Sequence, residues 1–203
     1  MDKGERQVSA SVRLIRADHR QRYEFSSSYL KLSDKVLDAA CGVGYGSFIL
    51  SKYCSSVTGV DISADAINFA NTHYLNEKVN YNVLDLKNLN TVDDNFDVIV
   101  SFETFEHITF THEFMENIAH LLHDGGKFIV STPNQDALPF DESRFPYHVK
   151  HYTVDEMISI IENVGLTVEE VWSQHDAVSG DLRQDDKGLF LILVARKQTN
   201  ISS

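Results

Sequence analysis

The chain has 203 residues, 42% hydrophobic and 24% charged, with a net charge of −12. This is the balance of a globular protein large enough for one sizeable core. The acidity argues against a broad nucleic-acid backbone footprint, and no run reaches the roughly 18 apolar residues of a membrane-spanning helix. The opening MDKGERQVSASVRLIRADHRQRYEF lacks the apolar stretch of a secretion signal, so a cytoplasmic location is expected. Two cysteines make neither a disulfide framework nor a metal finger: Cys41 is expected as a small loop residue and Cys54 as a buried apolar one.

The first 22 residues carry Lys3, Arg6, Arg13, Arg16, Arg20 and Arg22 against Asp2, Glu5 and Asp18. Residues 1–30 are read either as a segment facing an anionic substrate or as a solvated helical lid over a site. No linker or repeat follows, so a single domain is expected over 1–203, with its core over 33–196.

Beyond residue 33, apolar runs alternate with helix-like stretches, the pattern of a mostly parallel sheet with helices on both faces. A strand is predicted over 35–40, where Val36 and Leu37 enter Asp38, followed by a glycine-rich turn and a helix over 44–54. A strand over 56–60 leads to Asp61, and Ser63 is a natural N-cap for a helix over 63–73, with Asp65 in its first turn. VNYNV makes a strand over 79–83, and FDVIVSF a buried one over 96–102. A helix over 111–122 stops before Asp124-Gly125-Gly126, and GKFIVST makes a fifth strand, 126–132, ended by Pro133. A helix over 153–164 precedes strands over 166–172 and 188–197, joined by a polar loop and able to pair antiparallel.

Residues 36–46, VLDAACGVGYG, form the most informative stretch. Glycines after a strand allow a sharp turn and close approach of a ligand to the backbone. An acid about 20 residues on, here Asp61, is placed to take the two hydroxyls of a ribose. The spacing D-x-x-C-G-x-G-x-G differs from the G-x-G-x-x-G of dinucleotide sites, which disfavours a nicotinamide oxidoreductase. Asp38 would repel a pyrophosphate but suits a cationic amino-acid group.

On Asp38, Ala40, Gly42 and Gly44, matching [DE]-x-[AGS]-x-G-x-G, the chain resembles the class I S-adenosylmethionine-dependent methyltransferases. The resemblance covers about residues 33–196. It implies an α/β fold with a Rossmann-like seven-stranded, mostly parallel sheet, a C-terminal antiparallel strand and helices on both faces. It implies further that Gly42 and Gly44 line the methionine and ribose portions of S-adenosylmethionine and that Asp61 binds the ribose hydroxyls. Asp85 falls where the family accepts a hydrogen bond from the adenine amino group, with a turn or cap role as the other reading. Leu86 would pack beside the ring, Ile62 would cover its other face, and Ser101 ends the fourth strand next to the methyl donor. Tyr45 either covers the sulfonium or packs.

A second constellation, FETFEHI, supplies Glu103, Glu106 and His107, spaced to share one face of a helical turn. Two carboxylates and an imidazole suit a divalent cation, Mg²⁺ or Mn²⁺ by their oxygens. STPN and FPYHVKHYT add His148 and His151 downstream. This order resembles the metal-assisted small-RNA 2′-O-methyltransferases and the ubiquinone-biosynthesis O-methyltransferases, which implies Glu103, Glu106, His107 and His148 as metal ligands. Three readings stand: metal-assisted catalysis by these residues, a metal-free general base at His107 or His148 with Glu103 at cofactor or substrate, and activation by proximity alone. His151 is read as a surface or supporting residue.

The phrases GER…HRQRYEF, ACGVGYGS, FETFEHI, STPN and FPYHVKHYT together resemble methyltransferases of sugar and polysaccharide biosynthesis. That implies O-methylation of a small-molecule, sugar or nucleotide-sugar acceptor, with Arg6, Arg20, Arg22 and Tyr23 facing a diphosphate or carboxylate. The alternatives are RNA 2′-O-methylation and a non-catalytic S-adenosylmethionine-binding protein. A homodimer is left open; nucleic acid and membrane are not expected partners.

Overall fold

The computed structural model describes residues 7–176 and 178–199; Lys3 and Arg6 lie outside them. Among the described residues eight strands form one sheet: β1 Lys35–Ala39, β2 Ser56–Asp61, β3 Val79–Val83, β4 Phe96–Phe102, β5 Leu122–Pro133, β6 Leu166–Gln174, β7 Leu182–Arg183 and β8 Phe190–Lys197. Their order is β3-β2-β1-β4-β5-β8-β6-β7. Strands β1 to β5 pair parallel, whereas β8 enters antiparallel between β5 and β6. The sheet is thus mostly parallel with an antiparallel C-terminal strand. The eighth strand, β7, is two residues of the polar loop folding back on Ser173 and Gln174.

Both faces are covered. The α-helices α1 Ala17–Ser27, α2 Tyr45–Leu50, α3 Ala64–His73, α4 Thr111–Leu121 and α5 Val154–Glu162 accompany the strands. Side chains alternate across a strand, so neighbours part to opposite cores. Leu37, Ile99, Phe128 and Leu193 pack with α4 and α5, while Val36, Val98, Ile129 and Ile192 pack with α1, α2 and α3. Strands buried on both faces read as continuous apolar runs, which is why they were visible in the sequence.

Two boundaries differ from expectation by about one helical turn's worth of residues, the others by two residues or fewer. Helix α2 ends at Leu50 rather than 54, and β5 starts at Leu122 rather than 126. Asp124-Gly125-Gly126 reads as a turn, yet the three residues are taken up inside β5 by a register shift against β4. Gly125 has φ +78°, and a Cβ on Gly126 would lie 2.8 Å from the His123 carbonyl, so the irregularity needs these glycines. Among the described residues no helix is long and apolar enough to cross a membrane.

The strand order reverses between β1 and β4, which lie side by side while their successors run outward in opposite directions. Ligands of open α/β sheets bind at the carboxyl ends of the strands beside such a switch point.

Candidate active site

The turn after β1 has Ala40 (φ 70°), Gly42 (φ 56°) and Gly44 (φ 88°) in the left-handed region. Ala40 carries a cost of about 1–3 kcal/mol there. Behind it the buried Ser101 hydroxyl donates to the Ala39 carbonyl at 3.0 Å. The Gly42 N–H donates to Asp61 Oδ2 at 3.0 Å, and the Ser63 N–H to Oδ1 at 2.8 Å. Asp61 thereby ties the glycine turn to the start of α3. Ser63 caps that helix as expected.

The three glycines do different jobs. A Cβ on Gly44 would lie 2.6 Å from Ala70 and 2.8 Å from the Tyr81 ring, and one on Gly46 would lie 2.0 Å from the Tyr23 ring. Both are internal packing sites. At Gly42 a Cβ would meet nothing within 4 Å among the described residues, so this is the place where the turn leaves room for a ligand.

Asp38 is fully buried. Its carboxylate accepts from Ser47 Oγ at 2.6 Å and Tyr23 Oη at 3.3 Å, and burial pushes its pKa up to about 7. Both oxygens are therefore engaged by the protein. Asp85 caps the 3₁₀ turn Leu86–Thr91, accepting from the Lys87 N–H at 3.0 Å; this is the cap role. Leu86 is buried, and Ile62, beside Asp61, is 64% exposed, an uncovered apolar side chain at the carboxyl end of β2.

Helix α1 roofs the glycine turn with an unusually polar underside: Asp18, Arg22, Tyr23 and Ser26 are all buried. Arg22 is 1% exposed. Its Nε donates to Gln174 Oε1 at 2.8 Å, and its guanidinium lies 4.7 Å from the centre of the Phe190 ring. Nη1 stands 3.6 Å from Glu103 Oε1 and Nη2 3.9 Å from Asp18 Oδ2, yet among the described residues neither makes a hydrogen bond. His19 approaches Tyr45 Oη at 3.4 Å, and burial drives its pKa down to about 3. Among the described residues Arg16, Arg20 and Arg22 therefore do not form one surface: Arg20 pairs with Glu24 at 3.1 Å, Arg16 with Asp18, and Arg22 is buried.

The third group of residues follows β4. Glu103 is left-handed (φ 51°), and its carboxylate accepts from Ser131 Oγ at 2.8 Å. The chain then makes a 3₁₀ turn over Phe105–His107. This breaks the helical face expected for Glu103, Glu106 and His107. Glu106, His107 and His148 converge, one ligand atom of each lying within 4.8 Å of the others; Glu103 stays with Ser131 and Arg22. Glu106 is buried and accepts from Thr132 Oγ1 at 3.3 Å. Burial and the Glu103 charge raise its pKa well above the usual carboxylate range.

His148 arrives on the 134–152 loop. That loop is closed by the Asn134–Tyr152 bridge and pinned to the 3₁₀ turn by the Val149 N–H donating to the Glu106 carbonyl at 2.6 Å. His107 Nδ1 meets the Tyr147 carbonyl at 2.9 Å. His148 Nδ1 meets His151 Nε2 at 2.7 Å, and His151 Nδ1 meets the Leu138 carbonyl at 2.6 Å. Burial and the neighbouring imidazoles lower the His148 pKa to about 4. His151, expected at the surface or in support, is buried. The burial of Arg22 and its bond to Gln174 were not legible, because an arginine in a basic segment reads as exposed.

Residues 30–184 match the methyltransferase domain family. The chain is 29% identical over 139 residues to a probable S-adenosylmethionine-dependent methyltransferase of Mycolicibacterium smegmatis, covering 66% of this chain and 52% of the relative. It is 34% identical over 118 residues to a ubiquinone biosynthesis O-methyltransferase of Coxiella burnetii, covering 57% of this chain and 50% of the relative. The chain thus spans about half the length of these curated relatives. Among solved structures, the N-methyltransferase NodS of Bradyrhizobium japonicum, in complex with S-adenosyl-L-homocysteine, superposes with a TM-score of 0.69 at 20% identity, over 88% of this chain and 85% of that one. A Haloferax volcanii methyltransferase complex with the Trm112 activator gives 0.74 at 18% identity, over 89% and 91%. With more than half its length in the family match and a sheet whose strand order reverses at the glycine turn, the chain belongs to the methyltransferase domain family and has the class I S-adenosylmethionine-dependent fold.

Proposed function

We propose that the protein transfers a methyl group from S-adenosylmethionine to a hydroxyl oxygen of a small-molecule or sugar-precursor acceptor, as a single catalytic unit. The observation that carries this reading is the convergence of Glu106, His107 and His148 at the end of the sheet that also bears the open space over Gly42. The likeness to a ubiquinone biosynthesis O-methyltransferase supports the oxygen acceptor.

In this reading the cofactor lies over Gly42, its ribose on Asp61 and its adenine between Ile62 and the Asp85–Leu86 turn. Ala40, Gly44, Asp38 and Ser101 act from behind, holding the turn. Arg22 is suited to the methionine carboxylate: its two Nη atoms are buried without a hydrogen bond, and planar bidentate pairing is what a guanidinium offers a carboxylate. Glu103, beside Nη1, suits the ammonium.

One carboxylate and two imidazoles fit a divalent cation. A cation bound there lowers the pKa of a coordinated hydroxyl. Only an ionised Glu106 is a ligand, and its burial, which raises its pKa, opposes that form; His148, with its lowered pKa, needs no deprotonation at neutral pH. Transfer itself is an in-line displacement: the acceptor oxygen attacks the methyl carbon and the sulfonium sulfur leaves as S-adenosylhomocysteine. The chain's contribution is to align the two and remove one proton.

The test is calorimetric titration with S-adenosylhomocysteine, then with Mg²⁺ and Mn²⁺, of the wild type, Gly42→Asn and Glu106→Gln. Asparagine tolerates the left-handed region and would fill the open space. Gly42→Asn is expected to stay folded and lose cofactor binding by more than about 100-fold, ~2.7 kcal/mol; Glu106→Gln is expected to keep cofactor and lose the cation. Failure of the wild type to bind cofactor would remove the proposal.

A further inference from the structure

His151, read from the sequence as a surface or supporting residue, is buried with both ring nitrogens at hydrogen-bond distance from a partner. Its Nδ1 lies 2.6 Å from the Leu138 carbonyl and its Nε2 lies 2.7 Å from His148 Nδ1. A carbonyl oxygen can only accept, so His151 Nδ1 carries the hydrogen. In a neutral imidazole the other nitrogen then bears the lone pair. His151 Nε2 must therefore accept, and His148 Nδ1 must donate. The polarity set at a backbone carbonyl is passed through one ring to the next, and His148 is left with its lone pair on Nε2.

We propose that His151 is a positioning residue that fixes the tautomer of His148, so that His148 acts through Nε2 as a ligand or proton acceptor beside Glu106 and His107. The inference rests on the proposed role of His148 but not on whether a metal is bound. Three features support a built relay. His107 is wired the same way, its Nδ1 on the Tyr147 carbonyl at 2.9 Å, which puts its lone pair on Nε2, 3.9 Å from Glu106 Oε1. Ring orientations are set by aromatic packing: Phe145 stacks on His148 at 5.2 Å and 21°, and both Phe140 and Phe145 pack on His151. The Leu138 carbonyl is itself fixed, since the Leu138 N–H donates to the Asn134 carbonyl at 2.7 Å, and Asn134 is bonded through its side chain to the Asp186 and Gly188 carbonyls. Orienting a ligand histidine through its second nitrogen is a general device of metal sites, and loss of the orienting group costs 10- to 100-fold in metal affinity.

The experiment is nitrogen-15 NMR of the imidazoles in the intact protein at neutral pH, with His148 assigned by its loss in His148→Gln, beside Co²⁺ titration followed by absorption. The expected wild-type result is hydrogen on Nδ1 and a bare Nε2 for both His148 and His151. In His151→Phe, His148 is expected to move its hydrogen to Nε2 and Co²⁺ affinity to fall 10- to 100-fold. His151→Gln, whose amide both accepts and donates, is expected to recover part of that loss. A wild-type His148 with its hydrogen on Nε2, or an unchanged tautomer in His151→Phe, overturns the inference. A wild type with the expected tautomers but no Co²⁺ binding supports the relay and removes the metal reading instead.

Discussion

Asp38 shows how much one side chain carries. Its carboxyl is held at about 7 in the folded protein against 3.8 when exposed, so the folded state binds the extra proton between those values. Stability then falls as pH rises across that window and is lowest above it. Roughly three pKa units amount to about 4 kcal/mol. Asp38→Asn, which keeps the shape and removes the titration, is expected to flatten the fall in urea-unfolding free energy between pH 4 and pH 8 by a large part of that amount. The buried Glu106 contributes a slope of the same sign in both proteins. Identical slopes in the two would refute the assignment. At this scale the sequence was readable where chemistry is local. Asp61 and Ser63 sit where their spacing put them, and Cys54 is buried as an apolar residue. It was unreadable where a contact spans the chain. Nothing near Gly46 announces that its missing Cβ makes room for Tyr23. Gly46→Ala is expected to lose roughly 1–3 kcal/mol from overpacking, seen as a lower thermal midpoint.

At the scale of elements, the parallel strands were legible because burial on both faces makes each an unbroken apolar run. Helix α1 was legible as a helix but not as a roof. Its role depends on Gln174, 152 residues from Arg22 in sequence. The Gln174 amide also donates to the Asp18 and Gly180 carbonyls at 3.0 and 3.1 Å. One buried side chain thus fastens α1 to the end of β6. Gln174→Leu keeps the volume but strips three hydrogen bonds, leaving buried groups unpaired at about 1–3 kcal/mol each. Hydrogen exchange should then accelerate in α1 while β1 and β4 stay protected. Equal protection of α1 in both proteins would show that the helix is held by other means. The left-handed Glu103 likewise had no local signal, and it is the reason that the expected helical face of FETFEHI divides into two groups facing different partners.

For the molecule as a whole, any ligand that binds only the folded state adds to its stability. S-adenosylhomocysteine at 100 times its dissociation constant should contribute about 2.7 kcal/mol, which for a chain of this size raises the thermal midpoint by roughly 5–10 °C. Gly42→Asn should show no such rise, and a rise equal to wild type would relocate the cofactor. The sheet has one more property, which follows from its order. Strand β8 is the last of the described strands in chain order, yet it sits in the interior between β5 and β6. During vectorial synthesis every earlier described strand emerges first, and β5 waits with an unpaired edge around its apolar run Phe128–Val130 until Phe190–Lys197 leaves the ribosome. Unpaired edges of this kind invite association with other chains. A nascent chain stalled before Phe190 is the form of this protein that most needs a chaperone.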